Sequence, residues 1–136
     1  MNSDWQEIDF EGSLSLRAPA DLEPAQAHAI DSSFASWQSA NLGLMIDLGL
    51  FSDPLTGYAE KATYRTSEEE IDGVAARLIA FDEADGTRVQ AAHFVRLPGD
   101  RRGSLTLFLR AAPQVGHEIL LEVLRSIRFT STQTPE

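Results

Sequence analysis

Apolar and polar residues alternate along most of this chain, which is the pattern of β-strands that bury one face. The clearest example is the segment 41–51, where every second residue from Leu42 to Leu50 is Leu or Ile. Glycines, Met45 and Asp47 occupy the intervening positions. The pattern predicts a strand with one buried face, and its two glycines indicate a bulge or a bend.

Similar alternation predicts a sheet of several further strands. A turn at Gly12 joins two short strands, in which Leu14 and Leu16 point inward. The segment 25–39 is ambiguous in period, and we expect a strand pair there. Asp85-Gly86 is expected to supply the positive φ angles of a hairpin turn. The other predicted strands are 58–66, 74–81, 88–97 and 104–110.

One segment has a helical period instead. After Pro113, apolar residues recur at the spacing of a single helix face, which predicts a helix of about 12 residues. The stripe comprises Val115, Ile119, Leu120, Val123 and Leu124. His117 lies early in this helix, and we expect it at the surface. A closing strand is predicted at 126–130.

This order of elements predicts an α+β fold, a mostly antiparallel β-sheet with a C-terminal helix and short helical cover. Residues 1–130 are expected to form one domain, and residues 131–136 a short tail. The length of 136 residues suits a single domain.

Composition narrows the classes of function. The chain has no cysteine, which excludes disulfides and thiolate chemistry, and a formal net charge of -10. An acidic chain lacks the basic stripe that nucleic-acid binding requires, so no nucleic-acid partner is expected. The charge favours a partner with a basic surface instead. The start is acidic and there is no apolar run of about 18 residues, so we expect a cytoplasmic protein without a membrane span. A periplasmic or envelope location remains the alternative if a signal sequence has been removed.

Motifs that indicate catalysis or metal binding lack their necessary partners. Asp82–Asp85 spells DEAD, but no phosphate-binding loop accompanies it, and the only lysine is Lys61. The same stretch lacks the first and last carboxylates of a calcium loop. The three histidines, His28, His93 and His117, match no zinc pattern. The acidic run Glu68–Glu70 is typical of a solvated turn. No cofactor and no metal site are therefore predicted.

The residues that could still form a site are a few carboxylates, one histidine and two aromatics. Asp47 interrupts an apolar strand, and its parity places it on the solvated face. Asp31 lies in the segment before this strand, and Asp53 lies in the turn after it. His93 has the same parity as the apolar residues of its predicted strand, which favours a partly buried, hydrogen-bonded histidine. A small hydrolase or ligand-binding enzyme that uses Asp31, Asp47, Asp53 or His93 would require these side chains to meet in one pocket.

Aromatic side chains could line a binding groove. The candidates are Trp5, Phe34, Trp37 and Tyr58, of which Trp37 and Tyr58 are the predicted binding residues, although aromatics at this frequency more often pack in a core or at its rim. With the three aspartates they complete the predicted binding residues: Asp31, Asp47, Asp53, Trp37 and Tyr58.

Short motifs in the same order resemble those of a family of bacterial proteins. They are AIDSS at 29–33, MIDLG at 45–49 with FSD at 51–53, IDG at 71–73, and ILLEVLRSIRF at 119–129. Together they resemble the PsbP-like (Mog-type) and DcrB-like α/β/α sandwich group over residues 12 to 130. This chain has Leu48 where the pattern expects an aromatic residue.

The resemblance implies a non-enzymatic function. In that group an antiparallel sheet is flanked by helices, and the last helix leads into an edge strand. Its members act as accessory or adaptor proteins, and some DcrB-like members are chaperones of secreted effectors. By this resemblance we expect a protein-binding adaptor module, with an effector chaperone as a narrower alternative. The sequence does not determine the oligomeric state, and a homodimer is one of the alternatives.

Overall fold

A computed structural model describes residues 5–10, 14–29, 33–49, 55–97 and 104–129. These ranges contain ten strands and one helix. The strands are β1 (Trp5–Phe10), β2 (Leu14–Pro19), β3 (Glu23–Ala29), β4 (Ser33–Gln38), β5 (Leu42–Gly49), β6 (Arg65–Ile71), β7 (Val74–Asp82), β8 (Arg88–Phe94), β9 (Ser104–Ala111) and β10 (Arg128–Phe129); the helix is α1 (His117–Arg125).

The strands form two antiparallel sheets. The large sheet has the order β3-β4-β5-β9-β8-β7-β6, and the small sheet has the order β1-β2-β10. Strands that pair in the large sheet are also consecutive in sequence, with one exception. The exception is the pair of β5 and β9. The fold is therefore mostly antiparallel β-sheet with one C-terminal helix among the described residues, as the α+β prediction states. The predicted strand pair at 25–39 is confirmed as β3 and β4.

The main core lies between the small sheet, α1 and one face of the large sheet, which we call the inner face. Alternation places the leucines of β5 and β9 on this face, and Leu14 and Leu16 of β2 pack against them. The helix contributes the buried side chains of Leu120, Val123 and Leu124. α1 has nine residues and begins at His117, so it is shorter than predicted.

The opposite, outer face of the large sheet is covered at one end by residues 55–64. Leu55, Tyr58 and Tyr64 pack there on a second apolar cluster around Phe81 and Val89. The prediction of a strand at 58–66 is wrong over 58–64. Backbone hydrogen bonds close consecutive turns in this segment, because its tyrosines reach the sheet by folding over it and not by joining it.

The turn chemistry differs from the prediction at Asp85-Gly86. Of this pair, only Gly86 has a positive φ, of 93°. The tight two-residue turn lies instead between β6 and β7, where Asp72 and Gly73 have φ values of 52° and 80°. Two successive positive φ angles are the feature of a type I′ hairpin turn, and they match the twist of the paired strands.

The acidic run Glu68–Glu70 lies in β6 and not in a turn, contrary to the prediction. β6 is the last strand of the large sheet, so its outer edge has no strand beside it in the described structure. Charged side chains on such an edge discourage pairing with other chains. No helix in the described ranges is long and apolar enough to cross a membrane.

Candidate functional site

A groove opens where two strands of the large sheet diverge. β7 and β8 are paired from Asp82 and Arg88 as far as Arg77 and His93. Beyond this point β7 remains paired with β6 down to Val74, but no register with β8 continues. The opening, which we call the fork groove, has a volume of about 570 Å³. This size is within the range of ligand-binding clefts.

The lining of the fork groove is mostly apolar. Val95 is 67% exposed although it is a large hydrophobic residue, and Val74 and Leu97 beside it are half-buried. Exposed apolar side chains that gather at a concave surface indicate a binding site more than scattered ones do. The lining residues are Glu68, Gly73, Val74, Ala75, Ala76, Arg77, His93, Val95, Arg96 and Leu97.

Two arginines give this apolar groove a local positive charge. The side chains of Arg77 and Arg96 make no hydrogen bond or ion pair with the described part of the chain. Glu68 is directly opposite Arg77 in the register of β6 and β7, yet the two form no ion pair within 4 Å. The guanidinium groups therefore keep their capacity to bind an anion from outside.

A row of polar residues runs along the outer face and ends at the groove. The register aligns Asp47 on β5, Thr106 on β9, His93 on β8 and Arg77 on β7. His93 Nδ1 lies 2.8 Å from Thr106 Oγ1, and His93 is only 5% exposed. The prediction of a buried, hydrogen-bonded His93 is thereby confirmed. Asp47 lies on the face opposite the leucines, as predicted, and is half-buried.

A second polar cluster lies at the start of the helix. His117 Nε2 is 2.8 Å from Asp82 Oδ1, and His117 Nδ1 is 3.1 Å from Gln90 Nε2. Because a carboxylate only accepts and an amide nitrogen only donates, Nε2 donates to Asp82 and Nδ1 accepts from Gln90. The hydrogen bond from His117 holds the pKa of Asp82 below its usual value, with help from Thr63. His117 is therefore half-buried between two strands, and the surface position predicted for it is wrong.

The predicted aromatic residues pack into the two cores. Trp37 lies against the inner core, with its ring edge-on to Phe10 at 6.4 Å between centroids. Tyr58 stacks on Phe81 at 5.6 Å over the outer face. Trp37 faces the inner core, whereas Asp47 lies on the outer face of the large sheet, so these two residues do not share one pocket.

The remaining predicted residues, Asp31 and Asp53, lie outside the described residues. Within the described ranges, no group of three His, Asp or Glu side chains is arranged to hold a metal ion. The described geometry offers hydrogen-bonding groups, an apolar surface and two cationic side chains.

The sequence reasoning missed Arg77, Val95 and Arg96. Each lies in or just after a strand that alternation predicts well, and none belongs to a recognisable motif. The strand predicted over 88–97 ends at Phe94 in the structure, so Val95 and Arg96 follow it, and no local pattern marks that end. That ending depends on a neighbour that is distant in sequence.

Comparison with known proteins yields a structural likeness alone. No protein-family model matches this chain, and no curated protein matches it. It is similar to a crystal structure, determined at 1.50 Å resolution, from Bacteroides thetaiotaomicron VPI-5482, with a TM-score of 0.53 and 13% sequence identity. The match covers 95% of this chain and 50% of that one, so this chain spans about half the length of its structural neighbour. At this identity the likeness concerns the fold only.

Proposed function

We propose that this protein is a non-enzymatic binding module, and that its fork groove holds an extended segment of another protein. The observation that carries the proposal is the divergence of β7 from β8, which leaves an apolar groove beside a strand with an open side. The resemblance to adaptor proteins of the PsbP-like and DcrB-like group supports the same class of function. An effector chaperone is the narrower form of this proposal and rests on that resemblance alone.

An extended peptide suits the groove better than a compact ligand. Residues 74–76 of β7 face the groove, and no described strand pairs with them on that side. Peptides commonly bind by adding a strand at such an open position, where main-chain hydrogen bonds provide affinity and pockets receive alternate side chains. Val74, Val95 and Leu97 supply apolar contacts beside this backbone.

A library of random 12-residue linear peptides displayed on phage tests the proposal. We expect selection on the immobilised protein to enrich peptides whose binding is at least tenfold weaker to Val95→Asn. This loss corresponds to about 1.4 kcal/mol, the scale of a central contact in an interface. Met45→Gln is the matched control because Met45 is also an exposed hydrophobic residue but lies outside the groove.

Two outcomes would overturn the proposal. One is the absence of any enriched peptide. The other is an equal effect of the Val95 and Met45 substitutions on the enriched peptides, since binding would then not depend on the groove. Thermal unfolding of both variants establishes that each remains folded.

A further inference from the structure

We infer that the fork groove selects an acidic segment of its partner, with a carboxylate bound by Arg77 and Arg96. This inference rests on the proposed function and adds the chemistry of the partner. It runs against the expectation from the net charge of -10, which favours a basic partner. The local charge of the groove is opposite to the charge of the whole chain, and short-range contacts decide what a groove holds.

The two arginines differ from the other cationic side chains of the described structure. Each of the others forms an ion pair with a carboxylate or donates to a carboxylate or a backbone carbonyl; these are Arg17, Lys61, Arg65, Arg88, Arg110, Arg125 and Arg128. Arg77 and Arg96 have no such partner within the described ranges, and both line the same groove. Two guanidinium groups that lack a partner among the described residues and line one concave surface can bind an external anion.

The surroundings of Arg77 favour a carboxylate over a cationic group. Arg77 is half-buried on β7 between His93 and Glu68, its cross-strand neighbours on β8 and β6. Glu68 is exposed and contributes one negative charge to the lining, whereas Arg77 and Arg96 contribute two positive charges. The lining therefore carries one net positive charge when His93 is neutral. Partial burial lowers the local dielectric and strengthens a contact with a carboxylate. The planar guanidinium can donate two parallel hydrogen bonds to such a group.

The apolar lining and the open side of β7 define the rest of the occupant. A free small anion would leave Val95 and Leu97 uncovered, whereas a peptide with apolar residues beside its acidic residue covers them. We therefore assign the groove to an extended segment of another protein in which Asp or Glu lies next to apolar residues.

The test measures fluorescence anisotropy with the peptides selected on the phage library and synthetic versions in which each Asp or Glu becomes Asn or Gln. We expect the selected peptides to be richer in Asp and Glu than the library. The acid-to-amide change should weaken binding to the wild-type protein at least fivefold. In the double variant Arg77→Gln/Arg96→Gln the same change should alter binding less than twofold, because the cationic partners are gone.

Arg110→Gln is the matched control, since it removes one positive charge from β9 at the register of Val89, outside the lining of the groove, where Arg110 pairs with Glu83. It should leave the fivefold preference intact. Arg96→Gln alone gives a second test at an exposed position, where loss of folding is not expected. Peptides that require Val95 but are neutral or basic would overturn the inference and leave the proposed function standing. If no peptide depends on Val95, both fail together.

Discussion

Removal of the His117 imidazole is the sharpest stability test of this structure. His117 joins the start of α1 to Asp82 at the end of β7 and to Gln90 in β8. In His117→Ala both hydrogen bonds are lost while the apolar stripe of the helix is unchanged. We expect the variant to fold and to be less stable.

The magnitude follows from the burial of the two partners. A hydrogen bond to a charged group contributes about 1.5–3 kcal/mol when buried. The Asp82 side chain is 31% exposed, so water replaces part of that bond and we expect about 1 kcal/mol from it. Gln90 is only 5% exposed, and an unsatisfied buried amide adds about 1 kcal/mol more. The total of about 2 kcal/mol corresponds to a Tm lower by about 7 °C for a chain of this length.

Urea denaturation at pH 7, followed by tryptophan fluorescence, measures the loss. Gln90→Ala and the double variant complete a double-mutant cycle. The double variant should cost about 1 kcal/mol less than the sum of the single variants, since it leaves no amide without a partner. A loss under about 0.5 kcal/mol in His117→Ala, or strictly additive effects, would refute this account of the cluster.

The same cluster predicts a dependence on acid. The hydrogen bond from His117 lowers the pKa of Asp82 in the folded state. The stability that this provides is fully present above the unfolded pKa of about 4 and is lost as the pH falls through the lower folded pKa. The free energy of unfolding of the wild-type protein should therefore decline more steeply below about pH 4 than that of His117→Ala. Parallel profiles of the two proteins would contradict the assignment.

Three further predictions test other parts of the fold. Gly73→Ala should cost about 1–2 kcal/mol because Gly73 has a positive φ, whereas Gly57→Ala, also in open space, should change stability by less than about 0.5 kcal/mol; equal effects in thermal melts would disprove the type I′ turn. Leu120→Ala should cost about 3 kcal/mol in urea denaturation, and a loss under about 1 kcal/mol would contradict its complete burial. Glu69→Gln should cost about 0.5 kcal/mol or less, because the pair with Arg125 is exposed to solvent; a loss that persists in 1 M salt would contradict a screened surface pair.

Strand and helix positions were largely predictable because they depend on local period. Alternation identified β5 and placed Asp47 on the face opposite the leucines, and the apolar stripe identified α1. Predictions were wrong where the same local sequence pattern is compatible with two structures. The tyrosines of 55–64 were assigned to a strand, but they pack from a turning segment over the outer face. The glutamates of β6 predict a turn because a charged strand at the edge of a sheet is as polar as a solvated turn.

The sequence by itself determined which side of β2 and β5 is buried, because burial of apolar surface imposes a period of two on the residues themselves. It also determined that cysteine chemistry is absent. The tertiary structure alone decided which residues meet. His117 reaches Asp82 and Gln90, and Arg77 and Arg96 line one groove, because β7, β8 and the helix are adjacent in space. Strand order and the point at which two strands diverge depend on long-range pairing, which no local period encodes.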